Sequence, residues 1–171
     1  MVLRYPQWEA ASHGPTISVA ALAGLEITAD GKAIPWRRDR IDAHAFHIEA
    51  PVGVETLSIA FQIITSANEG LLGRDFVSVP WQRLLLYPAG RAARDISVAT
   101  SVTLPADLQP ASSLSLQRSG SGAFLSAPVP LDTLMDSPIQ AAPVVETLKI
   151  GRIAGAPVNL NLLAGSREQV A

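Results

Sequence analysis

Apolar and polar residues alternate along most of this chain, and turn residues interrupt the alternation at short intervals. Leu25, Ile27 and Ala29 alternate with Glu26, Thr28 and Asp30; after Asp30-Gly31 the pattern resumes with Ile34 and Trp36. Asp-Gly between two alternating runs predicts a hairpin with a type I′ turn, because that turn needs positive φ at both central positions. Leu57, Ile59, Phe61 and Ile63 share one predicted strand face, with Ser58, Ala60 and Gln62 opposite. Gln82–Tyr87 is a mostly apolar run ended by Pro88-Ala89-Gly90. Ile96–Leu104 alternates again, with Ile96, Val98, Thr100, Val102 and Leu104 on one side. Leu114 and Leu116 lead into a hairpin loop, Arg118–Gly122, and Ala123–Ser126 returns from it. Val144–Ile150 and Val158–Leu163 form a last predicted pair, joined by Gly151–Pro157.

Helix signals are few. Leu131–Asp136 fits one helical turn, with Asp132 early and Pro138 as the stop. Residues 64–80 are the least regular. Ser66–Gly70 reads as a loop, and Leu71–Val79 as a strand edge or an irregular excursion. Thirteen prolines and twelve glycines suit a chain of many turns and blunted edge strands. The expected fold class is all-β: a β-sandwich or saddle-like open sheets, with at most one or two short helical turns. With no internal repeat and no linker, residues 1–171 read as a single β-rich domain.

Composition narrows the function classes. Apolar residues make up 48% and charged residues 16%, enough for a packed core and contrary to wholesale disorder. A net charge of −2 and scattered arginines argue against a nucleic-acid partner. No apolar run reaches the roughly 18–20 residues needed to cross a bilayer, so no membrane partner is expected. There is no cysteine, which removes disulfides, thiolate metal sites and a cysteine nucleophile together. The opening MVLRYPQWEAASHGP lacks a charged segment followed by an apolar one, so no signal peptide is expected in this chain.

Candidate chemistry is sparse. The histidines are His13, His44 and His47, and none has the i, i+4 spacing with an adjacent glutamate that a zinc-peptidase helix requires. His44 and His47 lie three residues apart in a predicted strand and so point to opposite faces, against a shared metal. No Gly-x-Ser-x-Gly elbow occurs, and adjacent Ser12-His13 is poor geometry for a nucleophile and its base. Asp39, Asp42, Asp132 and Asp136 read as turn and capping groups. Trp8, Trp36, Trp81, Tyr5 and Tyr87 leave two readings: a sugar-stacking surface, or core and domain-interface packing. Trp8, near the terminus and outside any core strand, fits docking against a neighbouring domain.

Several segments together carry a family resemblance. Leu3–Trp8 (LRYPQW), Ser12–Pro15 (SHGP), Ala23–Leu25 with Gly31-Lys32 and Trp36–Asp39, Ala45–Pro51 (AFHIEAP), Leu85–Gly90 (LLYPAG) and Thr133–Pro138 (TLMDSP) appear in order along nearly the whole chain. In that order they resemble the N-terminal domain of the bacterial glycyl aminopeptidases, the family-61 metallopeptidases of gluzincin type. The resemblance implies a β-rich, non-catalytic scaffold domain whose partner is the catalytic domain of the same polypeptide. That domain, expected after residue 171, would carry HExxH and bind zinc. No cofactor and no catalytic residue are implied for this segment, and peptide substrate would be met only indirectly, along one wall of the cleft. The parent would be periplasmic or secreted. Trp8, His13 and Asp136 are the residues expected at the domain interface or facing the cleft. An alternative is a stand-alone β-sandwich module binding carbohydrate or peptide; a third, an independent hydrolase, has no motif behind it.

The match has departures. Ala10-Ala11 stands where the family tends to have Pro-Gly, and His44 where an aromatic precedes Ala-Phe-His. After Asp-Ser-Pro the chain reads IQAAPVVET instead of the usual Ala-Gly and basic-aromatic run.

Overall fold

The computed structural model of the chain describes residues 1–9, 12–66 and 69–170. Among them are seventeen short strands and one α-helix, so the protein is all-β. The first six strands are β1 (Val2–Arg4), β2 (Leu22–Ala29), β3 (Lys32–Ala33), β4 (Trp36–Arg38), β5 (Ala45–Ile48) and β6 (Ser58–Ile63). Then come β7 (Val77–Val79), β8 (Tyr87–Pro88), β9 (Ser97–Val98), β10 (Ser101–Val102), β11 (Gln109–Ala111) and β12 (Leu116–Arg118). The last are β13 (Phe124–Ser126), β14 (Val129–Pro130), β15 (Ile139–Ala142), β16 (Val144–Ile153) and β17 (Ala156–Ala164), with α1 (Leu131–Met135) before β15. Two compact units result: Met1–Thr65 with Trp81–Ala92, and Ser66–Pro80 with Ala93–Ala171.

In the first unit, two antiparallel sheets, ordered β4-β5-β1-β8 and β3-β2-β6, share one core. Leu3, Phe46 and Ile48 enter it from the first sheet, and Leu22, Ile27 and Ala29 from the second. The predicted hairpin is present: Asp30 and Gly31 have φ of 48° and 74°, as a type I′ turn demands. Strand β6 keeps the expected faces, with Ile59, Phe61 and Ile63 half-buried and Ser58, Ala60 and Gln62 exposed. Phe46 is fully buried, its ring 5.7 Å from that of Trp36, and the Arg38 guanidinium lies 5.3 Å from its centroid.

The second unit holds the sheets β10-β13-β12 and β11-β15-β7 and the pairs β14-β9 and β16-β17. Leu131 and Leu134, on one face of α1, are buried, as are Ile139 and Ala141 of β15. The helix stops at Asp136, as expected one residue pair before Pro138, and the Asp136 N–H bonds to the Asp132 carbonyl. The Leu116–Ser126 hairpin closes through Ser119–Gly122, with Gly122 at φ 89°.

Three expectations need correction. Gln82–Tyr87 is no strand run: Trp81–Arg83 forms a 3₁₀ turn and only Tyr87–Pro88 pairs, with β1. Ile96–Leu104 keeps its alternating burial but is split between two partners, β14 and β13. At the break, the Thr100 backbone N–H and hydroxyl both bond to the Ser126 hydroxyl, at 3.2 and 2.9 Å, so a side chain replaces a ladder bond. The last hairpin turns at Ala154-Gly155 (φ 48° and 84°), so Gly151 and Pro157 lie inside its strands. Of Leu71–Val79 only Val77–Val79 is strand, at the edge of its sheet; the rest is irregular, with Leu72 bridged to Val77. Ala67 and Asn68 of the expected 66–70 loop lie outside the described residues.

Candidate functional site

The N-terminal turn of the first unit is held by several polar bonds. An antiparallel bridge joins Glu9 to Gly14, with the Glu9 N–H 2.9 Å from the Gly14 carbonyl. The Glu9 side chain ties the turn to a remote segment. One carboxylate oxygen accepts from Arg83 at 2.7 Å; the other accepts from Thr16 at 3.0 Å and Ser12 at 3.3 Å. The Arg83 hydrogen bond, helped by those from Thr16 and Ser12, holds the Glu9 carboxyl below its ordinary pKa. The Arg83 carbonyl in turn accepts from the Tyr5 hydroxyl at 2.9 Å. Burial pushes the Tyr5 phenol above its usual pKa, opposed by the Arg83 charge.

This frame presents two of the three expected surface residues. Trp8 is 60% exposed, a large apolar area for a side chain so firmly based. His13 is exposed and sits at φ 50°, a left-handed conformation that a non-glycine residue adopts only under constraint. Asp136 belongs to the other unit, exposed at the end of α1.

A second polar group braces the β4–β5 connection. Asp39 accepts the backbone N–H groups of Ile41 and Asp42 at 2.8 and 3.0 Å, and its other oxygen lies 2.7 Å from the His47 ring. The Asp42 N–H, then His47, then the Ile41 N–H hold the Asp39 carboxyl well below the usual carboxylate range. Asp42 accepts the His44 N–H at 3.0 Å and pairs with Arg4, so both aspartates act as turn groups. His44 stacks on Tyr5, ring centroids 5.9 Å apart, while His47 faces Asp39. Among the described residues no three of His, Asp and Glu gather where they could hold a metal ion.

The aromatic residues are dispersed by role. Tyr5 and Trp81 are buried, Trp36 packs on Phe46, and Tyr87 is half-buried in β8. Among the described residues Trp8 is the exposed one of these five rings. In the second unit an open groove of about 410 Å³ is lined by Leu116 and Phe124 and, from the last hairpin, by Val145, Thr147, Asn159 and Asn161. The sequence reading missed this groove and the Glu9–Arg83 pair. The two residues of that pair are 74 positions apart and carry no local signal.

The chain matches the solved structure of an aminopeptidase N family protein from Idiomarina loihiensis with a TM-score of 0.72 and 16% identity. The match covers 95% of this chain and 28% of that one, so the chain spans under a third of that protein's length. At that identity the likeness establishes the fold. No curated protein matches the sequence. The family model for the peptidase M61 N-terminal domain matches residues 1–143, most of the chain, and the chain therefore belongs to that family.

Proposed function

We propose that this chain is the non-catalytic N-terminal scaffold domain of a zinc-dependent aminopeptidase, packing on a catalytic domain and walling one side of its peptide cleft. The family match over residues 1–143 carries the reading. The fold shared with an aminopeptidase N family protein supports it. Zinc, its ligands and the general base would all belong to the catalytic domain of the same polypeptide, which would be periplasmic or secreted. Trp8, His13 and Asp136 would face that domain or the cleft. Trp8 has the best physical case: it is an exposed aromatic on a braced turn, the kind of residue that anchors an interface.

The test is a kinetic one. The full-length polypeptide, loaded with zinc, should release glycine and alanine from their anilides, and Trp8→Ala should raise KM or lower stability without abolishing kcat. A full-length protein with no aminopeptidase activity in zinc would overturn the reading.

A further inference from the structure

We propose that the outward apolar face of the β16–β17 hairpin is a docking surface for polypeptide that follows Ala171 in the same protein. This rests on the scaffold-domain reading and names the part of the surface that makes the contact.

The strand register sorts the hairpin into two faces. Leu148 pairs with Leu160, and Ile153 with Ala156, so these side chains share one face with Val158 and Leu162. Thr147 pairs with Asn161 and Lys149 with Asn159, on the opposite face. Ile150 is the extra residue of a bulge between Lys149 and Gly151. An amphipathic ribbon of a protein standing alone turns its apolar face to its own body and its polar face to water. Here much of the apolar face is open to water. Thr147, Asn159 and Asn161 line the groove with Leu116 and Phe124, though Thr147 and Asn159 are exposed themselves. Leu148, Ile153 and Leu160 are 40%, 72% and 47% exposed, and Ile150, at the bulge, 63%. The ribbon also has no third strand in the described residues, and a two-stranded hairpin is marginal by itself.

Two observations identify what covers it. The family match ends at residue 143, and β16 begins at Val144, so the hairpin lies just past the N-terminal family module. The fold of the solved relative nevertheless reaches into it. The 95% overlap leaves fewer residues unmatched than the hairpin contains, while most of that relative's chain lies outside the match. The hairpin belongs to the second compact unit, and an uncovered apolar face on a fold shared with a longer chain is where the rest of such a chain would pack.

Hydrogen exchange on the full-length polypeptide tests this. Amides of residues 144–164 should exchange as slowly as those of Ile139–Ala142, at every protein concentration. Leu160→Asp should strip that protection from the hairpin alone, and Asn159→Asp on the groove face should not. If Leu160→Asp also exposes Ile139–Ala142, the milder Ile153→Ser at the hairpin tip repeats the measurement. Fast exchange of the hairpin in the full-length protein would overturn the proposal. So would protection that rises with concentration, which would mean that a second copy covers the face, or a natural polypeptide ending at Ala171. Aminopeptidase activity measured on the same sample separates the two readings: a protected hairpin in an inactive protein removes the scaffold-domain function and leaves the docking surface.

Discussion

The turn around Glu9 and the hairpin of β16 and β17 both put large apolar side chains at the surface, and they are held in opposite ways. Trp8 is exposed on a turn fixed from beneath by Arg83, Thr16 and Ser12. Leu148, Ile150, Ile153 and Leu160 are exposed on a two-stranded ribbon with no third strand among the described residues. A side chain carried on a backbone turn fixed by charged hydrogen bonds spares a partner the cost of ordering that turn. A ribbon with an uncovered apolar face gains most of its order from the partner itself. The first suits recognition at a rim, and the second suits permanent burial.

The largest expected effect calibrates this contrast inside the 171-residue chain. Phe46→Ala removes a fully buried ring and should cost about 3–5 kcal/mol in denaturant unfolding. Ile153→Ala, at the 72% exposed tip, should stay within about 0.5 kcal/mol. A comparable loss from both would show that the hairpin is already covered in this chain. Next, Glu9→Gln keeps the shape of the turn but removes the charge facing Arg83. It should cost about 1.5–3 kcal/mol, the range for hydrogen bonds to charged groups, while leaving hairpin exchange unchanged.

Acid should separate the regions further. The folded pKa values of Asp39 and Glu9 are depressed, so as pH falls the unfolded chain takes up their protons first. Their stabilisation is complete well above the unfolded carboxylate values near about 4 and is lost as pH drops below them through the folded values. The denaturation midpoint should therefore fall below about pH 4, and Asp39→Asn should flatten that fall. The smallest effect belongs to the hairpin turn. Ala154 holds φ 48°, so Ala154→Gly should leave stability unchanged or raise it by up to about 1 kcal/mol, read as a small rise in Tm.

Much of the fold was legible because it rests on local rules. The Asp30-Gly31 turn, the faces of β6 and the single turn of α1 follow from period, turn chemistry and a proline stop. What the sequence hid was decided at a distance. No alternation announces that Ile96–Leu104 must serve two sheets, because the switch depends on Ser126. The apolar run 82–87 met a 3₁₀ turn because its residues fill space around Tyr5 and the core without forming a ladder. Of the candidate surface, Trp8 was legible as an aromatic outside any strand, whereas the frame that fixes it depends on Arg83. The apolar ribbon was visible as Leu148, Leu160 and Leu162, but only the register shows that they share a face, with Ile150 set apart at the bulge.

The bulge at Ile150 also sets where this chain can change length. Gly151 already pairs with Val158 as though Ile150 were absent, and Lys149 pairs with Asn159. Losing Ile150 would leave every later pair intact and every side chain on its present face. Losing one residue elsewhere in either strand would turn the remaining ribbon over, carrying Ile153 to the groove side and its neighbours outward. Length variation among natural versions of this hairpin is therefore expected to collect at position 150 and at the Ala154-Gly155 turn, with the stretches between them constant in length.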